Sequence, residues 1–109
     1  LKTFIETTGP LWQQGKLADK VYTAFTAATT AHGGHEATLL ALSHVFHHWG
    51  GIIVPPGYTD PIQFQTGNPY GTSHASAGGP PDDVALEAAR FQARRAVDTA
   101  AALKAGRAA

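Results

Sequence analysis

The sequence contains no cysteine, and this absence excludes several classes of site. A chain without cysteine has no disulfide framework, no zinc site with cysteine ligands and no thiol nucleophile. The sequence also lacks an apolar run long enough to span a bilayer and a recognisable signal peptide. We therefore expect a cytoplasmic protein that makes no contact with a membrane.

An excess of charge of one sign is missing as well. Eight Lys and Arg residues balance eight Asp and Glu residues in a chain of 109 residues. Nucleic-acid and membrane-surface proteins usually carry a strong basic field, so this balance argues against both classes of partner. The length allows one domain at most. Leu1 begins a segment that reads as the interior of a helix, and we expect the chain to be part of a larger domain.

Several catalytic and binding motifs are also absent. The sequence has no GxxxxGK[ST] phosphate loop, no GxGxxG dinucleotide fingerprint, no HExxH zinc motif and no GxSxG nucleophile elbow. The corresponding nucleotide-binding, metalloprotease and hydrolase functions therefore have no support in the sequence.

The most informative stretch present is a strand, a loop, a helix and a second strand. Val21–Ala27 is β-branched, aromatic or small throughout, as expected of a parallel strand covered on both faces. Ala27–Gly34 forms the following loop, a helix runs from Glu36 to Gly50, and Ile52–Val54 is the second strand. Ligands of α/β proteins bind beyond the carboxyl ends of parallel strands, so we expect the loop to line a site.

The predicted helix has two contrasting faces. Its apolar face consists of Leu39, Leu42, Val45, Phe46 and Trp49. The other face carries His44, His47, His48 and Leu40. His44 and His48 have a spacing that can chelate zinc or nickel, and His47 or the distant His74 could serve as a third ligand. The sequence has no HExxH motif, however, and no carboxylate at a suitable spacing. A metal site is thus an alternative hypothesis and not the favoured one.

The remaining segments flank this unit. Gly9-Pro10 is expected to end a first helix and to place Trp12 in a short loop, where it either packs on the core edge or presents an aromatic face. Gly57–Pro81 reads as a long irregular linker or functional loop. A last helix is predicted after an N-cap at Asp82 or Asp83. Its apolar stripe comprises Ala85, Leu86, Ala89, Ala93, Ala96, Val97, Ala100 and Leu103.

Five segments resemble the C-terminal half of the WrbA-like NAD(P)H:quinone oxidoreductases, a flavodoxin-like family. They are TGPLWQQGKLADK, FTAATTAHGGHEATLL, HHWGGIIVPPGYTDP, GNPYGTSHASAGG and EAARFQARRA, and they occur in the family's order. The resemblance implies that residues 1–109 are the C-terminal part of one FMN-binding domain with a doubly wound parallel sheet. It also implies a homo-oligomer, typically a tetramer, that passes electrons from NAD(P)H through FMN to quinones.

The resemblance assigns roles to individual residues. The flavin ring edge is expected to contact the loop residues Ala27, Ala28, Thr29, Thr30, Ala31, His32 and Gly33. His48 resembles a histidine that contacts FMN, whereas Trp12 and Tyr58 resemble aromatic walls of the pocket for nicotinamide and quinone. Ala27 and Ala28 stand where hydroxyl residues are frequent in the family. The resemblance thus implies cofactor and substrate binding but no catalytic side chain.

The family's phosphate-binding segment belongs to its N-terminal half and is not among these residues. A second hypothesis follows, in which the chain keeps the oligomer-forming parts of the fold but binds no cofactor and has no catalytic activity. A sheet of two parallel strands also leaves a hydrophobic edge exposed, so we expect the chain alone to fold poorly, to aggregate or to pair with another chain.

Overall fold

The computed structural model describes residues 1–108 and shows an α/β arrangement with short parallel strands. The elements in chain order are α1 (Lys2–Glu6), α2 (Gly9–Gln13), β1 (Val21–Tyr22), β2 (Phe25–Ala28), α3 (His35–His48), β3 (Ile52–Ile53), α4 (Ile62–Thr66), β4 (Thr72–Ala75), a 3-10 turn (Ser76–Gly78) and α5 (Asp83–Ala108). No helix within residues 1–108 is both long and apolar enough to cross a membrane.

The predicted strand over Val21–Ala27 is two strands with a break between them. β1 pairs in parallel with β3, and β2 pairs in parallel with β4, in the register Phe25 to Thr72. The break lies at Thr23 and Ala24. The sequence pattern did not indicate it, because both residues are as compatible with a strand as their neighbours.

Gln92 of α5 occupies this break with its side chain. Its Nε2 donates to Thr23 Oγ1 at 2.6 Å and to the carbonyl of Ala24 at 2.7 Å. Its Oε1 accepts from the backbone N–H and from the hydroxyl of Thr72, both at 2.7 Å. The side chain is only 3% exposed. A buried amide with all these partners replaces the backbone hydrogen bonds that the strands lack at this point.

The two faces predicted for α3 are confirmed. Leu39 and Phe46 are buried, whereas His44, His47, His48 and Leu40 are exposed. Phe46 stacks on Tyr22 with ring centroids 5.0 Å apart, and Trp49 lies 5.2 Å from the same ring. The apolar face therefore packs on the first strand, as the helical period indicated.

The segment that was predicted to be irregular, Gly57–Pro81, contains both α4 and β4. Gln63 of α4 is 1% exposed, and its Nε2 donates to the carbonyls of Gly57 and Asn68. Gly71 then brings the chain beside β2, where a Cβ atom would lie 2.3 Å from the carbonyl oxygen of Ala24. The prediction of a long irregular segment was wrong, because buried amides and a close backbone approach give it regular elements.

The prediction of a loop around Trp12 was also wrong. Gly9–Gln13 is helical, with Pro10 in its first turn. Proline is compatible with that turn, because the first N–H groups of a helix have no partner within the helix.

The prediction for α5 was correct at its start and wrong for much of its apolar stripe. Asp82 is the N-cap, since its Oδ1 accepts from the N–H of Ala85 at 2.8 Å. Ala85, Ala96 and Leu103 are partly covered, but the rest of the stripe is exposed. Its exposed members are Leu86, Ala89, Ala93, Val97 and Ala100. Because Ala88 and Gln92 provide the buried contacts instead, the helix is rotated away from its predicted face.

Candidate functional site

The loop between β2 and α3 is built from backbone geometry. Gly33 closes a turn by donating its N–H to the carbonyl of Thr30 at 3.1 Å. A Cβ atom on Gly33 would lie 2.7 Å from the Cβ atom of Ala28, so a larger residue requires the loop to move. Gly34 follows with a φ of 84° and begins the helix. Glycine is favoured there because other residues rarely adopt a positive φ.

The amino terminus of α3 has free backbone donors. Its N-cap is Gly34, which has no side chain, and the helix end has no side-chain cap. The first N–H groups of a helix need an external acceptor, and together with the helix dipole they favour an anion or a polar ring edge. The loop thus presents free backbone N–H donors at the start of the helix, as its sequence predicted.

These donors border a cavity of about 610 Å³, which we call the strand-end cleft. It is lined by Ala31, His32, Gly34, His35, Glu36, Ala37, Thr66, Gly67, Asn68, Ser73 and Ala75. The cleft lies between the first turn of α3 and the end of α4, beside β4. Of the predicted loop residues, Ala31 and His32 are part of its wall.

Two polar side chains of the cleft are informative. Asn68 is 8% exposed, donates to Ser73 Oγ at 2.9 Å and accepts from the N–H of Tyr70 at 3.1 Å. His35 has a buried Nε2 atom without a hydrogen-bond partner among residues 1–108. A buried polar atom usually has a partner, so this nitrogen is an exception among the polar atoms of the described residues.

The other predicted loop residues take different positions. Ala27 and Ala28 belong to β2, so the loop starts at Thr29 and not at Ala27. The carbonyl of Thr29 accepts from the N–H of Ala77 at 2.9 Å, which ties the loop to the turn after β4.

Trp12 and His48 meet at the opposite end of α3. The indole N–H of Trp12 donates to the carbonyl of His48 at 2.7 Å. The last carbonyls of a helix lack partners within the helix, so this bond caps the end of α3. Both readings of Trp12 are thus partly correct, because it anchors α2 to α3 and still exposes 48% of its surface.

A second cavity, the tryptophan groove, lies beside this contact and has a volume of about 310 Å³. It is lined by Ile5, Glu6, Thr8, Gly9, Trp12, Val45, His48 and Trp49. Most of the lining is apolar, with two indole rings and an imidazole. Such a groove suits a flat, largely apolar ring.

The structure does not bring the two groups of predicted residues together within one chain. The strand-end cleft lies at the start of α3, and the tryptophan groove lies at its end. The helix has 14 residues, which corresponds to a length of about 20 Å. The two groups of predicted residues therefore lie at opposite ends of α3.

Tyr58 belongs to the first of these regions. Its ring lies 5.2 Å from that of Phe64, and its hydroxyl donates to the carbonyl of Gly67 at 3.3 Å. Gly67 lines the strand-end cleft, so Tyr58 is near the cleft and not near Trp12. The sequence missed Asn68 and Ser73, because the segment that holds them was read as irregular.

The histidines do not form a metal centre. No group of three or more His, Cys, Asp or Glu residues within the described part of the chain is close enough to hold a metal ion. His47 instead directs its Nδ1 towards the carbonyl of Ser43 at 2.8 Å. The alternative of a site at His44 and His48 therefore lacks a third ligand.

Comparison with known proteins gives a consistent family. No family model matches the chain. A protein of Deinococcus radiodurans named NAD(P)H dehydrogenase (quinone) is 43% identical over 94% of this chain and 52% of its own length. Proteins of the same name from Sinorhizobium fredii and Aromatoleum aromaticum are 40% and 36% identical over 94% and 100% of the chain, and over 56% of their own lengths.

The chain thus spans about half the length of the curated relatives that it matches. The resemblance read from the five sequence segments is confirmed, because the names of these relatives agree with it. Nearly the whole chain is thus similar to about half the length of proteins named NAD(P)H dehydrogenase (quinone).

Proposed function

We propose that the chain is the C-terminal part of an FMN-dependent oxidoreductase with a flavodoxin-like fold that transfers a hydride from NAD(P)H to quinones. The observation that carries the proposal is the shared name of relatives that are 36–43% identical over 94% or more of the chain. The parallel strands with helices packed on them are compatible with that fold.

The strand-end cleft has donors that suit a flavin. The first turn of α3 provides free N–H groups for the oxygen and nitrogen atoms at the ring edge. His35, in the same turn, also lines the cleft. The residues that would hold FMN are therefore Thr29–Gly33, the first turn of α3 and His35. When bound, FMN supplies the hydride transfer from NAD(P)H to quinone, and the protein supplies binding and orientation.

The tryptophan groove has the properties of a site for the planar substrates. Its exposed indole and imidazole rings can stack on nicotinamide or on a quinone. Since about 20 Å of helix separates this groove from the cleft of the same chain, Trp12 and His48 reach a flavin only in a neighbouring subunit. The proposal therefore includes a homo-oligomer, of which a tetramer is the form that the resemblance implies.

The test uses a complete domain. The portion of the Deinococcus radiodurans relative that lies outside the matched region is joined to this chain, and the purified chimera is mixed with FMN. We expect a yellow protein in which NADH or NADPH reduces the bound FMN once and in which continued oxidation of NAD(P)H requires a quinone to reoxidise the flavin. A folded chimera that binds no FMN, or whose reduced FMN is not reoxidised faster when a quinone is added, would contradict the proposal.

Two glycine-to-alanine variants test whether the loop itself binds FMN. Gly33→Ala places a Cβ atom 2.7 Å from that of Ala28, so the loop must shift. We expect the FMN dissociation constant to rise by about tenfold or more, since a shift of the donors costs on the order of 1.4 kcal/mol of binding energy. Gly106→Ala is the matched control, because a Cβ atom there meets no atom within 4 Å. Fluorescence titration with FMN measures both constants.

A further inference from the structure

Two hydroxyl side chains line the strand-end cleft, those of Thr66 and Ser73. The hydroxyl of Thr66 donates to the carbonyl of Gln63 in its own helix at 3.3 Å, so its hydrogen already has an acceptor. Ser73 Oγ lies 2.9 Å from Asn68 Nδ2 and donates to no acceptor among residues 1–108. Within the described part of the cleft wall, the hydroxyl hydrogen that lacks an acceptor is therefore that of Ser73.

The direction of the hydrogen bond between Asn68 and Ser73 follows from a neighbouring backbone group. The N–H of Tyr70 can only donate, and it lies 3.1 Å from Asn68 Oδ1. This contact identifies the amide oxygen, so the other atom of the amide is the NH2 group, which donates and does not accept. Because that group faces Ser73 Oγ, the serine accepts the bond. Its own hydrogen then points away from Asn68.

Asn68 is held firmly enough to fix this direction. It is 8% exposed, and its carbonyl accepts from Nε2 of Gln63, a side chain that is 1% exposed. Rotation of the Asn68 amide would break both of its side-chain hydrogen bonds in a place that water hardly reaches. The hydroxyl of Ser73 is therefore oriented before any ligand binds.

Strand geometry directs Ser73 to the cleft. Successive side chains of a strand point to opposite faces. The hydroxyl of Thr72 bonds to Gln92 of α5 on one face, so Ser73 points to the other, where it lines the cleft. Ala75 lies two residues further on the same face and contributes only a methyl group to the wall. Ser73 is thus the polar side chain that β4 presents to the cleft.

We propose that Ser73 is a specificity-determining residue of the strand-end cleft, whose hydroxyl donates to a hydrogen-bond acceptor of the bound ligand, and that Asn68 is the positioning residue that sets this direction. The inference rests on the proposed function, under which the acceptor is a carbonyl oxygen or an unprotonated nitrogen at the polar edge of the flavin ring. A ligand edge that is apolar or that only donates leaves the hydrogen of Ser73 without an acceptor. Sites built around such a group discriminate strongly against ligands that leave it unpaired.

The test measures FMN binding by fluorescence titration, with the chimera of this chain and the complementary portion of the Deinococcus radiodurans relative. We expect Ser73→Ala to raise the FMN dissociation constant about tenfold, equivalent to about 1.4 kcal/mol and within the usual range for one hydrogen bond. Ser73→Thr keeps the hydroxyl and should bind FMN within about threefold of the unmodified chimera. Ser43→Ala is the matched control, because that hydroxyl donates to the carbonyl of Leu40 within α3, outside the cleft.

A double-mutant cycle tests the role of Asn68. Asn68→Leu removes the donor to Ser73 and leaves the hydroxyl free to rotate, so we expect the FMN dissociation constant to rise about threefold. In the Ser73→Ala background, the same replacement should raise the constant by less than about 1.5-fold, because the group that it orients is already missing. Equal factors in the two backgrounds would show that Asn68 does not act through Ser73 and would overturn its assignment.

The outcomes separate this inference from the proposed function. A folded, unmodified chimera that binds no FMN would overturn both. A chimera that binds FMN equally well with and without Ser73→Ala would overturn this inference and leave the proposed function standing. Equal weakening by Ser73→Ala and Ser73→Thr would also overturn it, since the effect would then come from packing and not from the hydroxyl group.

Discussion

The two ends of α3 are built by different means. At its amino terminus, the strand-end cleft depends on backbone geometry, with the tight turn at Gly33 and the free N–H groups that follow Gly34. At its carboxyl terminus, the tryptophan groove depends on side chains, with the indole of Trp12 bonded to the carbonyl of His48. The same helix therefore offers polar donors at one end and aromatic surface at the other.

This difference determines how each end responds to mutation. A site built from backbone groups tolerates many side-chain changes but depends on the position of the strands that carry it. A site built from side chains is sensitive to direct truncation. Both tryptophans of the chain line the groove, so intrinsic fluorescence reports on that end of α3 alone.

The largest effect is expected for Gln92→Leu. The variant removes the donors to Thr23 and Ala24 and the acceptor for Thr72, and it leaves those partly buried groups without these partners. We expect a loss of about 3 kcal/mol in the free energy of unfolding, since each buried unsatisfied group costs about 1–3 kcal/mol. Amide exchange should accelerate in β2 and β4, while the fluorescence of the folded chain stays unchanged.

Gln65→Leu is the control for this prediction, because it makes the same replacement at an exposed position of α4. It should change the urea midpoint only slightly. Gln92→Leu could instead change tryptophan fluorescence as strongly as it changes amide hydrogen exchange in β2 and β4. In that case the two ends of α3 would respond together to mutation, and the difference drawn between them would be wrong.

The sequence predicted the groove end of the fold better than the cleft end. The apolar period of α3 correctly placed Leu39 and Phe46 in the core, because a long helix averages its pattern over several turns. The break at Thr23 was not predictable, because its cause is a glutamine 69 residues further along the chain. Likewise, β4 is a strand through its pairing with β2 and not through its composition.

The candidate site shows the same division. Local signals predicted a loop over Ala27–Gly34 before a helix, which is correct except that Ala27 and Ala28 belong to β2. The resemblance assigned both this loop and His48 to the flavin, whereas His48 is the last of the 14 residues of α3 and lies at the end of the helix away from the loop. Asn68 and His35 were missed, since their roles depend on which distant segments border the cleft.

Trp12→Phe should have a smaller effect, at the other end of α3. Phenylalanine retains the apolar contact but lacks the N–H group that donates to the carbonyl of His48 at 2.7 Å. We expect a loss of about 1 kcal/mol, the usual net value of one hydrogen bond, and faster exchange in α2. Leu11→Ala, at an exposed neighbour in the same helix, should cost less. Equal stability of Trp12→Phe and the unmodified chain would show that the indole does not fix α2.

The smallest effect concerns the pH dependence of stability. Burial raises the pKa of Tyr22 above its ordinary value of 10.0, because the phenolate loses hydration beside Phe46 and Trp49. The folded state thus holds this proton more tightly than the unfolded state, so the contribution of Tyr22 to stability is complete below about pH 10 and is lost as the pH rises above it.

Urea unfolding at increasing alkaline pH should show a decline in the free energy of unfolding that is shallower in Tyr22→Phe. That variant also loses the bond from the hydroxyl to the carbonyl of Leu17, so it should be less stable at neutral pH as well. Tyr70→Phe, at an exposed position, should keep the full decline. An identical slope in Tyr22→Phe and the unmodified chain would mean that this ring is as hydrated in the folded protein as in the unfolded one.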